Sequence, residues 1–359
     1  MPSDDPVARL LEDTRRICAM PAPLFGEGPR AELVAWMLGE AGAPARIDDV
    51  GNVIAPLGPG GDDTLVFAAH LDTVFPAETE IAFVEGDGRL AAPGVGDNSI
   101  AVAALLHLAR HLHERRLTRP VALVATVGEE GLGDLRGAKA LLEELPVGAF
   151  VALEGQILDS IKLAAVGSIR LRVTVRGPGG HPWRDRGTPS AAHGLIDALS
   201  GALAEAHAAD VVLNVGTMRG GTVINAIAGE AVAELDLRSE DDRLLQATAS
   251  RIDEFVGWTP EGLETTVEAL GRRPGGRIAD DHPLVQAARR ARQCAGLARA
   301  EEGAASTDAN AAYGRGIPAI TVGVTTGGNA HRLDEYIDLA PIARGLRSLE
   351  ALADELASR

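Results

Sequence analysis

His70 follows an apolar run that ends at Ala69, and Glu154 directly follows one that ends at Leu153. Glu129 and Glu130 come just after Val127, across Gly128. His331 lies beyond the run ending at Val324, across Thr326-Gly327-Gly328-Asn329-Ala330. Asp97 sits in Gly94-Val95-Gly96-Asp97-Asn98, immediately before a helical pattern. Imidazole and carboxylate donors of this kind suit zinc or a related divalent ion. A thiolate site is excluded, because Cys18 and Cys294 are the only cysteines and no CxxC spacing occurs. The same count excludes a disulfide framework. A paired metal site needs about six ligating groups, one of them bridging, with the ions ~3.5–4 Å apart. His70, Asp97, Glu130, Glu154 and His331 supply them if Asp97 bridges. Glu129 neighbours a ligand on an extended segment and so points elsewhere, where it is placed to take a proton from an activated water. Asp72, two positions after His70, is placed to orient the imidazole and fix its tautomer.

Other polar groups read differently. His107 and His111 stand at i, i+4 in a helical pattern, a spacing able to hold zinc, but the glutamate of an HExxH pair is missing and a packed or solvated helix face is the better reading. Ser306-Thr307-Asp308 reads as a loop supporting the site rather than as a nucleophile. Trp183 reads equally as entry lining and as an interface contact.

The elements that must position these groups fall into two styles. Residues 65–69, 121–127, 150–153 and 319–324 are short continuous apolar runs, suited to strands buried on both faces of a largely parallel sheet. Helical patterns at 100–113 and 137–145 lie between them, and the alternation predicts an α/β layer structure. In such a sheet, ligands bind beyond the carboxyl ends of the strands, where four of these runs each deliver a polar ligand type.

Near Gly167 the style changes. Ile169, Leu171, Val173 and Val175 alternate with Arg170, Arg172, Thr174 and Arg176, as in a half-exposed antiparallel strand. A helix is expected over 189–207 with Pro189 in its first turn. Strands at 211–215 and 231–237, a helix over 241–256 and a closing strand over 264–269 then complete the order of a ferredoxin-like unit. After 272–276 the first style returns. Residues 1–166 and 272–359 are therefore expected to form one domain, interrupted by an inserted α+β domain at 167–271.

Composition narrows the partners. Apolar residues make up 46% of the 359, which excludes global disorder. Aromatics are only 3% and the net charge is −17, so stacking platforms and the positive footprint needed for nucleic acid are both missing. The N-terminal segment MPSDDPVARLLEDTRRI reads as a charged amphipathic helix rather than a signal peptide, and no apolar stretch reaches membrane-spanning length. A cytoplasmic protein, with no membrane partner, is expected.

Five segments together resemble the signatures of the metallopeptidase 20 family: His70-Leu71-Asp72-Thr73-Val74, Gly96-Asp97-Asn98, Glu129-Glu130-Gly131, Glu154-Gly155 and Ala330-His331. They occur in the family's order between His70 and Tyr336. The resemblance implies a zinc-exopeptidase-like catalytic domain with a mixed, mainly parallel sheet and an inserted dimerisation domain. It implies that His70, Asp97 and Glu154 bind one zinc and Asp97, Glu130 and His331 the other, with cobalt or manganese able to replace zinc. It further implies Glu129 as general acid/base and Asp72 as orienter. In the insert, Gly177-Pro178-Gly179-Gly180-His181 resembles the segment whose histidine reaches a partner subunit's active site in a homodimer. Asn225 and Arg238 match positions that bind the substrate carboxylate or carbonyl.

The chain departs from the family in carrying Asn98-Ser99-Ile100-Ala101 where Lys-Gly or Arg-Gly is frequent, and Asn225-Ala226-Ile227-Ala228 where a proline is usual. Glu154, in place of Asp, leans toward deacylases and carboxypeptidases. The expected function is hydrolysis of the amide bond of a small peptide or N-acyl amino acid, through water activated by two zinc ions and a glutamate base. The alternatives are a di- or tripeptide aminopeptidase and a catalytically silent, metal-binding dimeric module.

Overall fold

Every residue of the strand Thr64–His70 is buried. Leu65, Phe67 and Ala69 join one apolar cluster, while Val66 and Ala68 join another, as the two-residue repeat of a strand demands when both faces are covered. The computed structural model describes residues 5–113, 115–257 and 260–357. It divides into two compact units, Met1–Ala165 with Arg277–Arg359, and Val166–Gly276.

In the first unit the sheet order is Arg46–Ile47, Val53–Leu57, Val121–Thr126, Thr64–His70, Val147–Glu154, Ala319–Gly323, Ser160–Ala165, with Glu301–Ala305 pairing with the last. The four strands from Val121–Thr126 to Ala319–Gly323 run parallel. Val53–Leu57 and Ser160–Ala165 flank them antiparallel, so the sheet is mixed and mainly parallel. The carboxyl ends of the parallel strands lie along one edge, and that edge presents His70, the segment after Thr126, Glu154 and the segment after Gly323.

Helices cover both faces. Pro6–Cys18, Gly28–Glu40, Ile100–His113, Pro283–Cys294 and Ile342–Ala357 pack on one, Arg136–Glu144 and Ala309–Tyr313 on the other. The first helix is capped by Asp5, whose carboxylate accepts from Val7 N at 3.0 Å, and it buries Leu10 and Ile17. The first four residues of the expected amphipathic segment lie outside the described residues. His107 and His111 pair across two helices with Glu350 and Asp354, at 2.8 and 2.9 Å. That is the packed helix face rather than a zinc pair.

A small antiparallel sheet, absent from the sequence expectations, runs in the order Gly327–Gly328, Tyr336–Asp338, Arg89–Ala91, Val84–Gly86. Its strands are two or three residues long. Such strands show no periodicity, yet these set the hairpin carrying His331 beside the chain leading to Asp97. No helix among the described residues is long and apolar enough to cross a membrane.

The second unit has an antiparallel sheet ordered Val212–Gly220, Glu230–Ser239, Gly167–Arg176, Glu264–Arg273. With helices Ala191–Ala208 and Asp242–Gly257 between strands, this is a ferredoxin-like order. Ile169, Leu171, Val173 and Val175 pack with Leu195, Leu199, Leu245 and Ile252. On the opposite face Arg172 pairs with Glu234 and Glu268, both at 2.9 Å. Three expectations need correction here. The strand expected over 211–215 runs Val212–Gly220. Pro189 is not in the first helical turn, because Ser190 is extended and occupies the N-cap position of a helix that begins at Ala191. The last strand continues to Arg273, past 269, through a register shift between Ala269 and Gly271.

Candidate metal centre

His70 is the last residue of its strand and 2% exposed. Its Nδ1 lies 3.0 Å from the Asp72 carbonyl oxygen. A carbonyl only accepts, so Nδ1 carries the proton. In a neutral ring the Nε2 lone pair then faces Asp97 Oδ1 at 3.0 Å and Glu154 Oε2 at 3.9 Å. Asp97 turns its other oxygen, Oδ2, to His331 Nε2 at 3.1 Å, and Glu130 Oε1 meets the same nitrogen at 3.1 Å. Two donor sets result, His70 with Asp97 and Glu154, and Asp97 with Glu130 and His331, the donor atoms of each lying within 4.8 Å of one another. Asp97 belongs to both.

Local backbone brings these ends together. Gly155, next to Glu154, has no room for a side chain, since a Cβ there would stand 1.9 Å from the Gly96 carbonyl oxygen. Only glycine lets the strand end approach the Asp97 turn this closely. Asn98 clamps the same strand end, donating from Nδ2 to the Leu153 carbonyl at 2.9 Å and accepting at Oδ1 from Gly155 N at 3.1 Å.

The charges in this cluster need cations. Among the described residues, Asp97, Glu130 and Glu154 have ion-pair partners only in His70 and His331. Burial lowers the His70 pKa, but the hydrogen bond and charge of Asp97, with the charges of Glu154 and Glu129, hold the ring well above the usual imidazole range. Hydrogen bonds to Asp97 and Glu130 push His331 up to about 10. Burial, reinforced by Asp97, Glu129 and Asp308, lifts Glu154 well above the usual carboxylate range despite His70. Burial acts upward on Asp97 too, yet the bonds from His331 and His70 keep it below that range. Protons thus balance acids whose burial is costly uncompensated. A pair of divalent cations would replace those protons, and the donor set of two imidazoles and three carboxylates fits zinc.

Asp72 differs from expectation. Its backbone carbonyl, not its carboxylate, hydrogen-bonds the His70 ring, and the carboxylate stands 3.8 Å from Nδ1. The carboxylate instead accepts from Glu129 N at 3.0 Å and Glu130 N at 2.7 Å, fixing the main chain of the two glutamates. Glu129 is 6% exposed, and its charge acts on both His70 and Glu154. Asp308 accepts from Thr126 Oγ1 at 2.5 Å and adds its charge at Glu154, as a supporting loop would.

Sequence reading missed Arg30 and Glu335. Arg30 is buried and donates to the Leu71 carbonyl at 2.8 Å, between His70 and Asp72. Glu335 is fully buried, and burial pushes its carboxyl up to about 7. Neither residue stands at the end of an apolar run, so no spacing marked them.

His181, Asn225 and Arg238 lie in the second unit. His181 Nδ1 accepts from the N–H groups of Trp183 and Arg184, both at 3.3 Å, which places the proton of a neutral ring on Nε2. Asn225 is exposed. Arg238 Nε donates to Asp236 at 2.9 Å.

Residues 66–355 match the sequence family described as peptidase family M20/M25/M40. The chain is 27% identical to a succinyl-diaminopimelate desuccinylase of Corynebacterium glutamicum, over 92% of each chain. Its fold superposes on aminopeptidase PepT from Bacillus cereus with a TM-score of 0.81, at 23% identity over 98% of this chain and 99% of the other. It also superposes on the YXEP protein of Bacillus subtilis, a dinuclear metal-binding peptidase of the M20 family, with a TM-score of 0.70, at 19% identity over 98% of both.

Proposed function

Because the chain belongs to peptidase family M20/M25/M40, whose members are dinuclear metallohydrolases, we propose that it hydrolyses the amide bond of a small peptide or N-acyl amino acid at a site holding two zinc ions, with cobalt or manganese able to replace them. The observation that carries this reading is Asp97, with one oxygen 3.0 Å from His70 and the other 3.1 Å from His331. A carboxylate in that position spans two adjacent ligand sets. His70, Asp97 and Glu154 would hold one ion, and Asp97, Glu130 and His331 the other. When bound, the ions supply Lewis acidity and lower the pKa of a water ligand.

Glu129 accepts the proton of the attacking water and returns it to the leaving amine. Its main chain is held by Asp72, which favours one placement of the carboxylate across turnover. His181 donates a hydrogen bond from Nε2–H to the oxyanion formed from the scissile carbonyl, and the tautomer set by Trp183 and Arg184 supports that role. We assign this contact to the partner copy of a homodimer built through the inserted unit. Supporting the dimer, Ile196 and Leu203 on one helix, and Val212 and Met218 on an outer strand of its sheet, are exposed apolar side chains. Asn225 and Arg238 bind the substrate carboxylate or carbonyl. Among the described residues Arg238 is held through Nε, by Asp236.

Glu154 and the desuccinylase relative favour a deacylase or carboxypeptidase over an aminopeptidase. A panel of N-acyl amino acids, dipeptides and tripeptides, each assayed with zinc, cobalt and manganese, tests this. N-acyl amino acids or peptides with an unblocked carboxyl end should be cleaved with a blocked amine. Cleavage that demands an unblocked amine would assign aminopeptidase activity instead, and no cleavage of any member would remove the proposal.

A further inference from the structure

Glu335 spends none of its hydrogen-bonding capacity on solvent. Its Oε1 accepts the N–H groups of Gly96 and Asp97, both at 2.7 Å, and its Oε2 accepts that of Gly94 at 3.0 Å. The Gln156 amide also reaches Oε1, at 3.4 Å. The backbone at Asp97 is non-helical, with φ −115° and ψ 86°. Donors of such a turn have no regular partners, and leaving them unmet inside the protein is costly. One carboxylate, 238 residues away in sequence from Asp97, meets three of them.

The same residue closes the hairpin that carries His331. Glu335 N donates to the Arg332 carbonyl at 3.1 Å, and Ala92 N donates to the Glu335 carbonyl at 3.0 Å. Within the hairpin, Asn329 and His331 adopt positive φ values of 60° and 66°. That conformation is uncommon for non-glycine residues, although asparagine and histidine tolerate it better than most. Glu335 thus joins two segments, one ending in Asp97 and one holding His331, through its side chain and its main chain at once.

We propose that Glu335 is a positioning residue for the second donor set, fixing Asp97 and His331 at the separation a divalent ion needs. This rests on the two-metal reading above. The Glu335 carboxylate is what ties the Asp97 turn to the His331 hairpin, whereas in the other set Asn98 still clamps that turn to the Glu154 strand end when the carboxylate changes. The second ion should therefore suffer most.

Calorimetric titration of metal-stripped protein with Mn²⁺, with melting of the stripped protein recorded alongside, tests this. Wild type should take up two equivalents per chain. Glu335→Gln keeps the shape but turns an N–H toward donors, and it should weaken the second equivalent about 10- to 100-fold while changing the first only a few-fold. In a His331→Ala background, the same change should add little further loss. Two equivalents at wild-type affinity in Glu335→Gln would overturn the inference, and so would equal weakening of both. Should the glutamine variant not fold, Glu335→Asp keeps the charge and withdraws it by one methylene. A weaker second equivalent there supports the proposal and an unchanged one overturns it. A wild type that binds fewer than two ions sinks the metal-pair reading itself, whatever the variants do.

Discussion

At the scale of residues, the centre is a set of acids whose charge two histidines only partly balance. Glu129 is the acid that no ligand set needs, so Glu129→Gln should leave metal content and melting temperature close to wild type. The turnover number should fall by about 10²–10⁴. Steady-state kinetics on the best substrate of the panel checks this, and near-normal turnover would remove Glu129 as base. The two cysteines give an independent check on local environment. Cys18 is buried, with its thiol pushed up to about 11 chiefly by burial, while Cys294 is exposed. Thiolate reactivity requires both deprotonation and access. One thiol should therefore react with a disulfide reagent in the native protein near neutral pH, and two after unfolding. His70, Glu130, Glu154 and His331 were legible in sequence because an imidazole or carboxylate stands at or beyond the end of a buried run, and Asp97 because its glycine-rich loop directly precedes a helical pattern. Glu335 and Asn98 were not, because their role lies in which distant backbone groups they meet, and no local pattern records that.

Elements carry the stability that holds these residues in place. Phe67, at 0% exposure in an interior strand, contributes by filling the space between sheet and helices. Phe67→Ala should cost about 3–5 kcal/mol in denaturant unfolding. The helices Ile100–His113 and Ile342–Ala357 are tied by His107 and Glu350 at 2.8 Å. That hydrogen bond is the main reason Glu350 sits below its ordinary range. A depressed carboxyl pKa stabilises the fold above the unfolded value, about 4.3, and the gain disappears as pH falls through the folded one. Glu350→Gln should accordingly lower the melting temperature at neutral pH, with the difference from wild type closing in the acid range below pH ~4. A difference that persists there would assign the effect to packing. The parallel strands and most helices could be read directly, since continuous apolar runs and 3.6-residue periods leave few alternatives. The small sheet around Tyr336–Asp338 could not, as two- and three-residue strands arise only once the chain is folded. Pro189 was misplaced because proline suits the residue before a cap as well as the first turn.

For the whole molecule, the two styles of sequence pattern correspond to two large sheets of different kind, one mixed, mainly parallel and sandwiched, the other antiparallel with one apolar face. The proposed division of labour makes the inserted unit supply His181 to a neighbour. Mixing Glu129→Gln with His181→Ala chains and letting them exchange should restore about a quarter of wild-type activity, since half the dimers are mixed and each has one intact site. Activity that stays at the level of the separate variants would place His181 elsewhere. The central claim is that a single aspartate serves two cations, and elemental analysis of Asp97→Ala tests it most directly. After equilibration with zinc and removal of excess, wild type should retain two ions per chain, His331→Ala one, and Asp97→Ala none. An Asp97→Ala protein that keeps its full metal content would contradict the account.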